Sequence, residues 1–243
     1  MIPKQIHQTS RTREVSPKWA PYQRILLDLH PGWSYKLWTD DDNAALLGEH
    51  YPDLVPIYRD FPSGAMKADL MRYVYMYRFG GLYLDLDYEF LKPFDLTENE
   101  LVLPRESREG YPVHFGNCVF ASVAGHPFWK ALLDEIRRTA PSSKTIKIEG
   151  DVTEQTGPGL VTRVWSRQFS GDRSVFVPPQ SWFHPIRPET PAEEARVKSQ
   201  PETYGIHWCF GTWRTLTFRS RVKNAFEKGL RGLGSVTRKG TVR

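Results

Sequence analysis

Cysteine is scarce. Only Cys118 and Cys209 occur in 243 residues, both in apolar runs, so a disulfide scaffold is excluded and two buried free thiols are expected. No run of about 18 apolar residues occurs, which excludes an ordinary membrane-spanning helix from the sequence pattern. The opening MIPKQIHQTS lacks the apolar core of a secretory signal. No Gly-rich phosphate loop, internal repeat or low-complexity tract is present. A large surplus of one charge sign is also missing from most of the chain. The net charge is +5, but Arg214–Arg243 holds nine Lys or Arg against the single acid Glu227, leaving the remainder net acidic. A general nucleic-acid-binding surface is therefore excluded.

What is present is an ordinary globular composition, 40% hydrophobic and 25% charged, with 8 Trp, 11 Tyr and 13 Phe. Ile2–Thr9 reads as a first strand. Trp19, Tyr22, Ile25, Leu26 and Leu29 follow at helical spacing, and Pro31-Gly32 ends that helix. Trp33, Tyr35 and Leu37 alternate as in a second strand. Strand, helix and strand at this spacing form a βαβ unit, so a parallel sheet is expected. Asp41 or Asp42 is expected to cap a short helix through Leu47. Ser63 is the candidate N-cap of a longer helix, with Met66, Leu70, Tyr73, Val74 and Tyr77 on one face and Gly80-Gly81 as its stop. Further on, Pro127–Arg138 and Leu160–Phe169 read as helices. Glu149–Gly159 reads as a polar loop, with Gly157-Pro158-Gly159 either a mobile lid or an ordinary loop. Ala192–Gln200 reads as polar surface.

The segment RFGGLYLDLDYEFLKP puts two aspartates into an apolar strand, where aspartate is disfavoured. In an extended strand Tyr83, Asp85 and Asp87 share one face, and Leu82, Leu84 and Leu86 the other. Paired carboxylates at a strand end repel each other. A divalent cation removes that cost, and oxygen ligands suit Mn²⁺ or Mg²⁺. Such an ion holds a diphosphate and helps it leave. On the preceding helix Asp69 and Arg72 stand three apart. That spacing reads either as a surface ion pair or as a polar corner that takes sugar hydroxyls, and alone it favours the ion pair.

The block AMKADLMRYVYMYRFGGLYLDLDYEFLKP resembles the DXD-containing sugar-binding region of family 32 glycosyltransferases. These include fungal Golgi and sphingolipid mannosyltransferases and bacterial polysaccharide enzymes. IPKQIHQT, YKLWTDDD, NCVFASVAGHPFW, TGPGLVT and IHWCFGTW resemble further segments in the same order, over about Ile2 to Trp213. The resemblance implies an α/β fold of GT-A type, with a central, mostly parallel sheet flanked by helices. It implies residues 1–213 as that domain and 214–243 as a basic tail. It also implies a hexosyltransferase with retention, a UDP- or GDP-hexose donor, a glycan or glycolipid acceptor, and Mn²⁺ or Mg²⁺ as cofactor.

By resemblance, Asp85 contacts ribose and sugar, and Asp87 is the direct metal ligand. Asp69, Arg72 and Asn117 hold the donor sugar, Trp213 lies against the diphosphate, and His207 is a second metal or phosphate contact. From the residues themselves, His207 and Trp213 read equally as packing groups, and Asn117 as a turn residue. His7, beside the sheet's expected leading edge, reads as a base contact or as core. Two other classes stay open: a metal-dependent nucleotidyl- or phosphotransferase, and a non-catalytic carbohydrate-binding protein. Golgi members carry a membrane anchor, whereas this sequence opens at its first strand, so a cytoplasmic location is expected. In the tail, Phe218, Val222, Ala225, Phe226 and Leu230 approximate one helix face amid basic residues. That pattern reads as peripheral binding to an anionic membrane or as a solvated end.

Overall fold

Parallel pairing starts at the N-terminus, as the βαβ pattern requires. In the computed structural model, which describes residues 1–210 except Thr97, Ser143, Lys147 and Ile148 and only the backbone of Glu149, β1 (Gln5–Thr9) pairs in parallel with β2 (Ser34–Trp38). The connection is α1 (Ala20–Leu29). Trp213 and the basic tail lie outside the described residues. The other neighbour of β1 is β3 (Gly81–Leu84), also parallel, reached through α2 (Asp40–His50), α3 (Val55–Asp60) and α4 (Gly64–Phe79). Strand β3 then pairs antiparallel with β6 (Val119–Ser122), which pairs antiparallel with β5 (Leu101–Val102). Strand β7 (Val175–Phe176) closes the order β2-β1-β3-β6-β5-β7. A second sheet pairs β4 (Tyr88–Phe90) with β8 (Gly205–His207). The remaining helices are α5 (Pro127–Thr139), α6 (Glu149–Gln155), α7 (Pro158–Gln168), α8 (Gln180–Phe183) and α9 (Pro191–Lys198). The architecture is the expected α/β one, a mostly parallel sheet with helices against it.

Alternation along β3 sorts the core. Tyr83 joins the apolar cluster that includes α4, α5 and α7 residues, while Leu82 and Leu84 join the one with Leu26, Phe90 and Phe183. The two clusters lie on opposite sides of the strand because successive side chains do. The double glycine before β3 is sterically required. A Cβ on Gly80 (φ +65°) would lie 2.5 Å from Ala124 N, and one on Gly81 (φ +92°) 2.3 Å from Gln5 O. The helix stop and the close approach of β1 and β6 are thus one feature.

Several local expectations are corrected. The cap of α2 is Thr39: its side chain accepts from Asp42 N while the Asp42 carboxylate accepts from Thr39 N, a capping box. Glu149–Gln155 is helical, so no long loop precedes α7, and Pro158 occupies the first turn of α7. Pro191–Lys198 is polar surface as expected, with no buried residue, and is in addition a helix with its own box, Thr190 with Glu193. Cys118 is buried as expected, but Cys209 is exposed. Helix α4 has no single apolar stripe. Every residue from Asp69 to Met76 is buried, as in a helix covered on all sides.

Candidate active site

Strand β3 ends one residue before the first aspartate. The chain turns at Asp85, with Tyr88 N donating to Asp85 O at 3.1 Å. The expected straight strand through Asp87 is therefore replaced by a turn between β3 and β4. Its effect on the carboxylates is convergence. One ligand atom from each of Asp85, Asp87 and His207 lies within 4.8 Å of the others, the one such group among the described residues. His207 arrives on β8, whose pairing with β4 sets Tyr88 opposite it.

Each carboxylate is oriented by its own donors. Asp85 Oδ1 accepts from the Tyr83 hydroxyl at 2.6 Å, and Arg72 Nη1 lies 3.3 Å from the same oxygen. The turn is anchored through its backbone as well, since Asp85 N donates to Cys118 O at 2.8 Å and Gln8 Nε2 to Asp85 O at 3.4 Å. Asp87 Oδ1 lies 3.2 Å from His207 Nε2, and Asp87 Oδ2 accepts from Phe210 N at 2.9 Å. Burial works to raise the Asp87 carboxyl, but the hydrogen bond and charge of His207 outweigh it and hold it below the usual value. Burial likewise opposes charge on His207, yet Cys118, Asp87 and Cys209 hold its imidazole protonated above the ordinary value. A cation ligated here would displace that proton. Two hard oxygens and one imidazole nitrogen make a donor set that fits a divalent ion.

Behind this open group lies a closed one. Asp69 and Arg72 are each 5% exposed, so they are not a surface ion pair. Asp69 Oδ1 accepts from Asn117 Nδ2 at 2.8 Å and pairs with Arg72 Nη2 at 3.3 Å, and Oδ2 accepts from Thr156 Oγ1 at 2.9 Å. Arg72 also donates to Ala68 O, Asn117 O and Asp85, and lies over the Tyr83 ring. Burial pushes Asp69 up from its ordinary value, while Asp85 and Asp69 more than offset the cost of burying the Arg72 charge. Gly157 packs closely at this corner: a Cβ there would lie 3.1 Å from Thr153 Cα and 3.4 Å from Asp69 Oδ2.

Asp69, Arg72, Asn117, Asp85, Asp87 and His207 are thus brought together. His7 is not. It is fully buried, its Nε2 bonds Gly80 O at 3.0 Å, and its Nδ1 accepts from Trp38 Nε1 at 3.0 Å. The rings of Trp38, Tyr75 and Phe79 stack around it. Strand β1 is interior to the sheet, both ring nitrogens are used and neither meets solvent, which favours the core reading of His7 over the base contact. Trp213 lies outside the described residues. Three participants escaped the sequence reading: Thr156, the Phe210 amide and Gln8. All three lie in the quoted segments TGPGLVT, IHWCFGTW and IPKQIHQT, but nothing in residue type marks a backbone amide or a strand glutamine as a partner of the aspartates.

Residues 16–106 match the family described as "Glycosyltransferase sugar-binding region containing DXD motif". Asp85-Leu86-Asp87 lies inside that match. The chain is 32% identical over 184 residues to inositol phosphoceramide mannosyltransferase 2 of Schizosaccharomyces pombe, covering 76% of this chain and 51% of that protein. It is 34% identical over 165 residues to inositol phosphoceramide mannosyltransferase 3 of the same organism, covering 68% and 45%. The chain therefore spans about half the length of these curated relatives. Among solved structures, the PaToxG glycosyltransferase superposes with a TM-score of 0.56 at 17% identity, over 71% of this chain and 72% of that one, a likeness of fold alone. Over residues 16–106 the chain is thus similar to the glycosyltransferases whose sugar-binding region contains a DXD motif.

Proposed function

We propose that the protein is a metal-dependent hexosyltransferase that moves a sugar, with mannose the first candidate, from a nucleoside diphosphate to a hydroxyl of a glycan or glycolipid. The observation that carries this is the convergence of Asp85, Asp87 and His207 beside the buried Asp69–Arg72–Asn117 corner. Mannose, and a glycolipid as one acceptor, come from the names of the relatives. Asp85, Asp87 and His207 would hold Mn²⁺ or Mg²⁺, which supplies charge stabilisation to a departing diphosphate.

The protein's own residues do the rest. Arg72 fixes Asp85, and the Phe210 amide fixes Asp87, so both carboxylates are oriented before any ligand arrives. Asn117 and Thr156 hold Asp69 at the edge where the donor sugar is expected. Trp213 remains the proposed contact to the diphosphate. The carboxylates here are all engaged: Asp69 by Arg72, Asn117 and Thr156, Asp85 by Tyr83 and Arg72, Asp87 by His207 and Phe210. None is free to act as a covalent nucleophile, which supports retention by same-face attack, the leaving phosphate taking the acceptor's proton. No helix of the described residues is long and apolar enough to cross a membrane. The basic tail is the proposed contact with an anionic membrane surface, and residues 1–213 the proposed catalytic domain.

The test is a panel of UDP- and GDP-hexoses with and without Mn²⁺, read by thermal shift and by release of nucleoside diphosphate. One donor should raise the melting temperature and turn over only with metal. Turnover of every donor unaffected by chelator would overturn the proposal.

A further inference from the structure

A second group of ionisable side chains stands beside the site and has no part in it so far. Arg105 and Phe115 form an isolated bridge, and the chain between them makes an excursion on the way from β5 to β6. The excursion is well tied: Glu106 N and Ser107 N donate to His114 O at 2.7 and 3.2 Å. The Arg105 guanidinium is used within it, by Glu109 Oε2 at 2.8 Å, Tyr111 O at 3.0 Å and Arg108 O at 3.1 Å. Arg105 therefore serves Glu109 and leaves Glu106 without a cation of its own.

The Glu106 carboxylate is paired with His114, whose Nδ1 lies 3.6 Å from Oε2, with the two side chains 46% and 47% exposed. That distance is too long for a good hydrogen bond, so both groups keep bonding capacity open to solvent. His184 is 6% exposed and its Nε2 has no partner. A Cβ on Gly116 would lie 2.8 Å from that nitrogen, so a glycine is what admits the ring, directly before Asn117. The excursion leads into the site, because His114 and Gly116 lie three residues and one residue before Asn117, whose side chain bonds Asp69, and this keeps the Glu106 carboxylate within a few residues' reach of that corner. Burial keeps His184 neutral, so it does not cancel that carboxylate.

We propose that Glu106, with His114 beside it and His184 against Gly116 at the end of the same excursion, is a carbohydrate-hydroxyl subsite for the acceptor, an inference that rests on the transferase reading above. A second metal ion is not its occupant, because the ligand atoms of these three do not converge as those of Asp85, Asp87 and His207 do. A half-exposed carboxylate with an adjacent imidazole instead accepts and donates hydrogen bonds to neighbouring hydroxyls. Tyr111, 67% exposed on the same excursion, adds an aromatic ring, flat and amphipathic, to that segment. Glu106 thus determines which acceptor is held, with no proton transfer assigned to it.

The experiment measures binding, so it does not depend on turnover. Methyl α-mannoside, methyl α-glucoside and myo-inositol are titrated by ligand-observed NMR into wild type, Glu106→Gln and Asp87→Ala, with Mn²⁺ affinity followed separately by EPR. At least one probe should bind wild type and Asp87→Ala alike and bind Glu106→Gln at least tenfold more weakly, with Mn²⁺ affinity retained in Glu106→Gln. Failure of every probe to bind wild type, equal binding to Glu106→Gln, or loss of Mn²⁺ affinity in Glu106→Gln would each overturn the subsite. The transferase reading fails on a different result: no metal-dependent turnover of any nucleotide sugar.

Discussion

The corner of Asp69, Arg72, Asn117 and Thr156 and the group of Asp85, Asp87 and His207 are neighbours with opposite characters. In the first, every Asp69 oxygen has a donor and the charges are sealed from water. In the second, two carboxylates and an imidazole converge within 4.8 Å and remain partly exposed. The first resembles a folded core in which polar groups replace apolar ones. The second brings two carboxylates and an imidazole, whose proton a cation would replace, to one partly open place. Arg72 joins them, since it serves a carboxylate in each. Stability and chemistry are thus assigned to adjacent residues, and substitutions should separate them.

The largest effect on stability is expected from Arg72→Ala. It leaves Asp69 and Asp85 without their shared cation, and breaking a buried pair costs about 3–5 kcal/mol. A urea denaturation curve should show the loss. A midpoint within error of wild type would mean that the corner is not closed as described.

Next comes pH, which acts on the closed part of the molecule. Burial lowers the His7 pKa from 6.5 to about 4. The unfolded chain therefore binds a proton first, so the contribution of His7 is complete above about pH 6.5 and declines as pH falls toward 4, by roughly 3 kcal/mol. His184 is shifted in the same direction by burial. Unfolding curves from pH 7.5 to 4 should fall less steeply for His7→Gln than for wild type; parallel slopes would contradict the buried, neutral imidazole.

Thr156→Val is the smallest perturbation. It removes one donor to Asp69 with little change of shape, at a cost of about 1–3 kcal/mol. It should lower the melting temperature and leave Mn²⁺ affinity within twofold. A large loss of metal affinity would show that the corner and the open group are one unit.

Much of this organisation was legible. The βαβ opening, the Ser63 cap, the Gly80-Gly81 stop and the Asp pair follow from local pattern, and the Ser63 hydroxyl does accept from Met66 N. The misread parts depend on what covers a segment. Spacing places Asp69 and Arg72 beside an apolar stripe, but Asn117 and Thr156, 48 and 87 residues away, close over Asp69. Likewise His7 has a polar side chain whose two bonds and stacked rings come from β2, α4 and Gly80. Helix α6 contains one apolar residue, Val152, and so has no periodicity to detect. Helix α9 is different: Thr190 and Glu193 spell a capping box that was available in the sequence. The turn at Asp85 is the most instructive miss, because period-two alternation persists through residues that have already left the strand.

The most direct measurement is Mn²⁺ affinity by EPR for wild type and Asp87→Ala, with a melting curve for each. The account predicts saturable binding to wild type, affinity at least a hundredfold weaker in Asp87→Ala, and melting temperatures of the two metal-free proteins within a few degrees. Equal Mn²⁺ affinity in both proteins would contradict it.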